Sequence, residues 1–246
     1  SVLTKLQDDI PGGRLGRMDR PRRTHAEARA QMRAGILRYG NEQLQQVGAA
    51  GLSVREIARS LGVASSAIYR HVANRDELLT LLIVDAYTDL ADAVLSGDTD
   101  TDPAAHRLRS IARNMRAWAT QNPARWALAY GSPVPGYAAP AEQTGEPGTR
   151  VMAVFLGLMT MGAGPELVGD DPVSEGLSAE LTQGAAELGV VVDPRLAAAA
   201  VEAWTGLVGL VSAEVFGQLG PDLAQHGAEL LDRWISSTSK RFALDG

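Results

Sequence analysis

The sequence predicts an all-α protein in which a small N-terminal three-helix unit precedes a larger helical domain. Apolar residues recur at helical spacing in one segment after another, and residues typical of helix N-termini precede those segments. No stretch of the 246 residues shows the sustained alternation of a β-strand. With 45% hydrophobic and 21% charged residues, the composition is that of a globular chain with a sizeable core.

The first three helices are predicted in the N-terminal third. A Thr-x-x-Glu capping box at Thr24 predicts a helix that runs to about Val47. Ser53 begins a second box, followed by a short helix whose apolar residues share one face. Gly62 predicts a turn, and a third short helix is expected from about Ala64 to His71.

Asparagine and proline divide the rest of the chain. Asn74 is a good N-cap for a long fourth helix that ends near Gly97. Asp102 and Asn122 each precede a proline, which predicts an N-cap followed by the first helical residue at both places. The Pro- and Gly-rich segment from Tyr130 to Gly148 is predicted to be a loop. The helix that opens at Asp102 carries Leu108, Ile111, Met115 and Trp118 on its inner side, and the one that opens at Asn122 is short and runs through Trp126. Further helices are expected at about 149–161, 175–189, 194–219 and 221–238.

Charge is distributed unevenly along the chain. Residues 1–75 hold 13 basic and 6 acidic side chains, a net charge of +7, whereas the remainder has a net charge of −13. This pattern favours a head that binds a polyanion, attached to a body that repels it. The alternative is a basic N-terminal arm that only faces solvent.

Several classes of site are excluded or disfavoured. The absence of cysteine excludes disulfides, thiolate metal sites and a cysteine nucleophile. The four histidines are far apart, and neither a Gly-x-Ser-x-Gly elbow nor a P-loop is present, so we expect no catalytic residues, no metal and no cofactor. The first ten residues lack the apolar core of a signal peptide, and 11 uncharged positions between Glu202 and Glu214 are too few to cross a bilayer. We therefore expect a soluble, cytoplasmic protein without a membrane contact.

The segment from Leu52 to Leu79 carries the strongest functional signal. Two short amphipathic helices around Gly62 form a helix-turn-helix, whose second helix can enter the major groove of DNA. Small polar residues and an arginine on its outer side suit base edges, and other donors suit phosphates. The predicted DNA-binding residues are Ser65, Ser66 and Arg70 for bases, Tyr69, His71 and Arg75 for phosphates, and Ser53 and Arg55 nearby. The alternative is that the two helices serve only packing.

These residues resemble the DNA-binding segment of the tetracycline-repressor (TetR) family of bacterial transcriptional regulators. The matching positions are Ser53, Ile57–Ala58, Gly62–Val63, Tyr69–Arg70–His71–Val72, Arg75 and Leu78–Leu79. Two positions depart from the family pattern. Ala64 stands where a capping serine is usual, so Ser65 or Ser66 is expected to cap the third helix, and Val72 replaces an aromatic residue.

The resemblance continues into the C-terminal part. Asn122 to Pro140 is similar to the same stretch of a TetR subgroup that has a Trp-His-Gly signature, for which Trp204-Thr205-Gly206 is the equivalent here. It implies a ligand pocket and a dimer interface in the C-terminal helices. The charge break indicates a domain boundary near residues 75–95. Together with the resemblance it divides the chain into a basic flexible arm (1–23), a helix-turn-helix domain (24–75) and an effector-binding and dimerisation domain (76–246).

Residue types indicate where that pocket and interface lie. Met and aromatic side chains can line an adaptable cavity, and a helix that is apolar around its circumference suits a subunit interface. The candidate pocket residues are Met115, Trp118, Trp126, Tyr130, Phe155 and Met159, and the candidate interface residues are Trp204, Leu207, Val208, Val211, Leu230 and Trp234. Ordinary core packing is the alternative for both groups.

The sequence as a whole predicts a homodimeric repressor that a small, mostly apolar effector releases from a palindromic, double-stranded DNA operator. The alternative is a helical protein that binds small molecules or other proteins, in which the helix-turn-helix is only structural.

Overall fold

The computed structural model describes residues 25–162 and 171–244, and these residues form α-helices and no strand, which confirms the predicted fold class. The helices are α1 (His25–Val47), α2 (Val54–Leu61), α3 (Ser65–Ile68), α4 (Arg75–Val94), α5 (Ala104–Gln121), α6 (Pro123–Tyr130), α7 (Ala141–Met159), α8 (Glu175–Glu187), α9 (Pro194–Val215), α10 (Gly220–Ala224) and α11 (Gly227–Arg241). A 3₁₀ turn at Ala49–Gly51 precedes α2. The arm at 1–23 and the capping box at Thr24 lie outside the described residues.

The predicted cap at Ser53 forms, but not as a full capping box. The Ser53 hydroxyl accepts a hydrogen bond from the Glu56 amide at 3.4 Å. The Glu56 carboxylate instead pairs with Arg59 at 2.9 Å, and the Ser53 amide donates to Gln43 Oε1 at 3.0 Å. A glutamine from α1 therefore satisfies the amide that the box leaves free, and it fixes the start of α2 against α1.

The third helix has no side-chain cap, so the expectation that Ser65 or Ser66 caps it is wrong. Ala64 occupies the N-cap position with an extended backbone, and its side chain accepts no hydrogen bond. Both serines lie past the N-cap position, because they are the first two residues of α3. The helix ends at Ile68, three residues before the predicted end.

Two hydrophobic cores share the long helix α4. Leu78, Leu79 and Leu82 belong to the core of the N-terminal unit, whereas Leu90 and Val94 belong to the core of the C-terminal domain. We call the N-terminal unit the head and the C-terminal domain the body. Asn74 caps α4 as predicted, accepting from the Glu77 amide at 2.9 Å. The two cores thus meet within α4, between Leu82 and Ala86, which is inside the range 75–95 expected for the boundary and past residue 75.

The predicted loop at 130–148 is too long, because α7 already begins at Ala141. Pro147 lies inside the helix and cannot donate the usual amide hydrogen bond to the preceding turn. Packing against α4 compensates for that loss. Gly148 allows the close approach, since a Cβ there would lie 3.2 Å from the Tyr87 ring.

Smaller boundary errors follow the positions of proline and glycine. Pro103, not Asp102, is the N-cap residue of α5, and α6 continues past Trp126 to Tyr130. The predicted helix at 194–219 ends at Val215, and Gly217 follows with a positive φ of 71° that ends it. Residues 221–238 contain two helices, α10 and α11, instead of one.

Helix α9 is long and apolar enough, by length and composition alone, to cross a membrane. Its most apolar 18-residue window has a mean hydropathy of 1.6. Leu196, Ala200 and Leu207 on this helix are buried in the body core, and α9 contacts α5, α7, α8 and α11. These contacts are those of a central core helix.

A polar cluster joins the head to the body. Asp85 on α4 accepts hydrogen bonds from Asn41 on α1 at 3.2 Å and from Arg125 on α6 at 2.8 Å. Arg125 also donates to Asp89 at 2.6 Å, and Asp89 accepts from the Trp118 indole at 2.9 Å. We call these five residues the interdomain cluster. Arg125 holds it together, and its side chain is only 13% exposed.

Removing Arg125 should weaken the fold more than removing an ordinary surface arginine. Arg125→Ala leaves Asp85 and Asp89 without their shared cation, and we expect a loss of about 2–4 kcal/mol in the free energy of unfolding. Arg150 is the matched control, because it pairs with Asp92 at 3.0 Å and is 36% exposed. Arg150→Ala should cost about 0–1 kcal/mol. Urea denaturation measures both, and equal losses would contradict a special role for Arg125.

Candidate functional site

The helix-turn-helix is built as the spacing of its apolar residues predicts. Gly62 ends α2 in the left-handed region, with φ of 67°, and its amide donates to the Arg59 carbonyl at 3.0 Å. Ile57 on α2, Ile68 on α3 and Val72 are almost completely buried in the head core. Val72 therefore fills its position although an aromatic residue is usual there, and α3 is fixed against α2.

The predicted DNA-binding residues divide into two groups by exposure. On α3 and just after it, Ser65, Ser66, Tyr69 and Arg70 are exposed, as is Arg55 on α2. The half-buried members of the set are Ser53, His71 and Arg75. The outward face of α3 and the turn after it thus carry two small hydroxyl side chains, a phenol and a guanidinium, all of which can donate hydrogen bonds to DNA.

Arg75 has a structural contact that the sequence did not indicate. One Nη atom donates to the Ala49 carbonyl at 2.9 Å, which ties the start of α4 to the 3₁₀ turn before α2. The guanidinium has five N–H donors, so others remain for a phosphate. Arg75 is nevertheless a positioning residue of the head as well as a candidate contact.

The arginines of the helix-turn-helix differ in their pairing. Arg59 forms an ion pair with Glu56, whereas Arg55 and Arg70 have no ion-pair partner within the described ranges. Unpaired exposed cations attract a polyanion most strongly, because no neighbouring carboxylate offsets their charge. Among the exposed arginines of this segment, the uncompensated positive charge therefore lies at Arg55 and Arg70, and the half-buried Arg75 adds a third.

The six candidate pocket residues are packed inside the body core. Met115, Trp126, Phe155 and Met159 are fully buried, Trp118 is nearly so, and Tyr130 is half-buried. Both indole N–H groups are occupied within the chain, Trp126 donating to Ser212 at 3.1 Å and Trp118 to Asp89. As the structure stands, these side chains fill the core, and their contact with a ligand stays a prediction.

A cleft lies beside this aromatic group and is lined by other residues. It has a volume of about 410 Å³ and opens between α4, α6, α7 and the connection 131–140. Its lining residues are Ile83, Tyr87, Leu128, Ala129, Gly131, Ser132, Pro133, Val134, Tyr137, Ala139, Thr144, Gly145, Gly148 and Thr149. The only ionisable side chains among them are the phenols of Tyr87 and Tyr137. Burial raises the pKa of Tyr87, so that phenol is neutral at physiological pH.

Sequence reasoning missed this cleft for an identifiable reason. Gly145 and Gly148 lie three residues apart on one side of α7, a spacing that leaves a groove along a helix. Because Pro147 lies between these two glycines, the segment was predicted to be a loop, and the helical spacing of the glycines was not recognised. Tyr87 and Tyr137 were also overlooked, since a lone tyrosine gives no pattern until both sides of the cleft are assembled.

The structure contradicts part of the predicted dimer interface. Leu207 is fully buried and Val211 is almost fully buried, because both face the body core of their own chain. They are too deeply buried to contact a partner directly. The remaining predicted residues, Trp204, Val208, Leu230 and Trp234, are half-buried and keep one side toward the surface.

Within residues 25–162 and 171–244, no three His, Asp or Glu side chains lie together in a way that could hold a metal ion.

Comparisons with known proteins place both parts of the chain in one family. Residues 36–82 match the family of bacterial regulatory proteins named after tetR, and residues 108–238 match a tetracyclin repressor-like C-terminal domain. The HTH-type transcriptional regulators Rv1816 of Mycobacterium tuberculosis and Mb1846 of Mycobacterium bovis are each 47% identical over 201 residues. That alignment covers 80% of this chain and 86% of either relative.

Solved structures agree with this assignment. The crystal structure of SCO4313, described as a regulatory protein, has a TM-score of 0.70 and 30% identity, and it covers 88% of this chain and 98% of its own. A protein of unknown function from Rhodococcus sp. RHA1 shares the fold, with a TM-score of 0.58, 21% identity, and coverage of 84% and 94%. The family match over more than half of the chain and the identity to the mycobacterial regulators show that this protein belongs to the TetR family of bacterial transcriptional regulators.

Proposed function

We propose that this protein is a homodimeric repressor that binds a palindromic operator and is released by a small, mostly apolar effector. The exposed surface formed by α3 and the turn after it, with Ser65, Ser66, Tyr69 and Arg70, carries this proposal. The TetR family consists of transcriptional regulators, not enzymes. Such a repressor acts on DNA in the bacterial cytoplasm.

The unpaired charge on the head favours DNA binding over a purely structural role for the helix-turn-helix. Packing between two helices does not require exposed arginines. Arg55 and Arg70 are exposed and have no carboxylate partner within the described part of the chain. In a dimer, two α3 helices would enter successive major grooves about 34–36 Å apart. An effector that binds a conformer with a different spacing more tightly would release the operator.

Arg70 and Arg55 should have different effects on DNA binding. Arg70 lies in the turn that follows α3, where it can reach a guanine edge, and Arg70→Ala should cost about 1–3 kcal/mol on the operator and relax preference at one base pair per half-site. Arg55 lies on α2 and should contact phosphate. Arg55→Ala should therefore weaken binding to all sequences equally and reduce the salt slope by about one charge.

The measurement compares affinity for a duplex selected from a random pool with affinity for an unrelated duplex, at several salt concentrations. Arg59→Ala serves as the control, because Arg59 is also exposed on α2 but is paired with Glu56. We expect it to change neither specificity nor the salt slope appreciably. If Arg70→Ala lost the same affinity on both duplexes, its assignment to a base would be wrong.

We infer that the dimer forms through the outer face of α9 and α11. Val201, Thr205 and Val208 follow one another at helical spacing on the exposed side of α9, and Val201 is 42% exposed. Leu230 and Trp234 occupy the corresponding side of α11, four residues apart. The four apolar side chains of these two ridges carry no charge, and the nearby Glu202 on α9 pairs with Arg241 on α11 at 2.7 Å, so its charge is compensated within the chain.

A charge on this outer face should separate the subunits without unfolding them. Val208→Glu would bury an unpaired carboxylate in the interface, so we expect a monomer at micromolar concentration in sedimentation velocity. Val191→Glu is the matched control, because Val191 is 98% exposed and lies in the loop before α9, and it should leave the dimer intact.

Leu207→Glu tests the correction to the predicted interface. Since Leu207 is fully buried in the body core, its charged variant should lose helical content by circular dichroism instead of forming a folded monomer. A folded, monomeric Leu207→Glu protein would restore Leu207 to the interface.

A further inference from the structure

We propose that the cleft between α4 and α7 is the effector site, that it takes a neutral, largely apolar ligand, and that Tyr137 links its occupancy to the head. This inference rests on the proposed ligand responsiveness. It differs from the pocket predicted at Trp118 and Trp126, because those side chains are packed in the core and do not line the cleft.

The lining of the cleft determines the charge of the ligand. No Asp, Glu, Lys, Arg or His side chain is among its lining residues. Placing an ion there would remove it from water without a counter-charge, which is expensive. Leu128, Pro133 and Val134 supply apolar surface, so the ligand is neutral and mostly apolar.

Small residues contribute to the space. Ala129 and Gly131, at the end of α6, and Gly145 and Gly148, on α7, add little or no side-chain volume to the lining. A Cβ built at Gly145 has no atom within 4 Å. The resulting volume of about 410 Å³ lies within the roughly 300–1,000 Å³ typical of small-molecule pockets.

The connection between α6 and α7 is shared by the cleft and the head. Val134 and Tyr137 line the cleft and also pack against the head core. The Tyr137 hydroxyl lies 2.8 Å from Thr80 Oγ1, and the Thr80 hydroxyl already donates to the Asp76 carbonyl at 3.0 Å. A hydroxyl has one hydrogen, so Tyr137 is the donor to Thr80.

This arrangement makes the connection a physical link between ligand and DNA. A ligand in the cleft contacts one side of Val134 and Tyr137, whose other side rests on the residues that hold α4 in the head core. If the ligand favours a different position of the connection, it favours a different position of the head. By linkage, DNA bound to the head must then change the affinity of the cleft by the same factor.

Two dyes that differ by one charge test the ligand class. N-phenyl-1-naphthylamine is neutral, whereas 8-anilinonaphthalene-1-sulfonate adds a sulfonate to the same ring system, and both become fluorescent in apolar surroundings. Titrated into the full chain without DNA, the neutral dye should bind at least tenfold more tightly. Equal affinity for the two dyes would overturn the assignment of a neutral ligand.

Two glycine substitutions on α7 test the location. Gly145→Leu places a side chain in the cleft and should weaken binding of N-phenyl-1-naphthylamine at least tenfold. Gly157→Leu is the matched control, because Gly157 lies on the same helix, also has no atom within 4 Å of a built Cβ, and does not line the cleft. Its dye affinity should equal that of the wild-type protein. If both variants, checked for helicity by circular dichroism, bind the dye equally well, the cleft is not the site.

The link to the head is tested by repeating the titration in saturating random duplex at low salt. We expect the duplex to weaken the wild-type dye affinity at least threefold. Thr80→Val removes the hydroxyl that accepts from Tyr137 and donates to the Asp76 carbonyl within α4, and in this variant the ratio of dye affinities without and with duplex should be close to one. If duplex leaves the dye affinity of the wild-type protein unchanged, the link to the head is overturned, but the assignment of the cleft as the binding site is not. Failure to bind duplex at all would instead contradict the proposed DNA-binding function, which the dye titration without DNA does not require.

Discussion

The double role of α4 is the constraint on which the rest of this structure depends. Its first turns complete the head core through Leu78 and Leu82, and its last turns complete the body core through Leu90 and Val94. An α-helix is stiff along its axis, because each turn is hydrogen-bonded to the next. The head therefore cannot change its direction unless α4 moves relative to α5, α6 or α7, which lie against it in the body.

Polar contacts beside α4 set the position of the head. The interdomain cluster binds α1, α4 and α6 through Asp85 and Arg125, and the hydrogen bond from Tyr137 to Thr80 adds the connection before α7. Two buried polar atoms of the cluster, Asn41 Oδ1 and Arg125 Nε, have no hydrogen-bond partner in the part of the chain described. Each unsatisfied buried polar atom costs free energy, so the cluster fixes the junction less tightly than a fully hydrogen-bonded network would.

The candidate site was predictable to different degrees in the head and in the body. The outward residues of α3, such as Ser65 and Arg70, were identified because exposure on a short helix next to a turn follows from local spacing. Met115 and Trp126 were grouped correctly as neighbours in one cluster, since both lie in the body core. Their residue types did not show whether a cavity opens beside them, because a cavity depends on how much side-chain volume the neighbouring helices contribute.

The sequence by itself determined the helical class, the helix-turn-helix and the caps at Ser53 and Asn74, because turns and caps depend on residues three or four positions apart. Only the tertiary structure decided that residues 141–148 continue as helix through Pro147, since the compensating contacts with α4 come from more than fifty residues earlier in the chain. The tertiary structure likewise turned Leu207 inward and left Val208 at the surface. An apolar helix offers several faces for burial, and the helices packed around it select which face is covered.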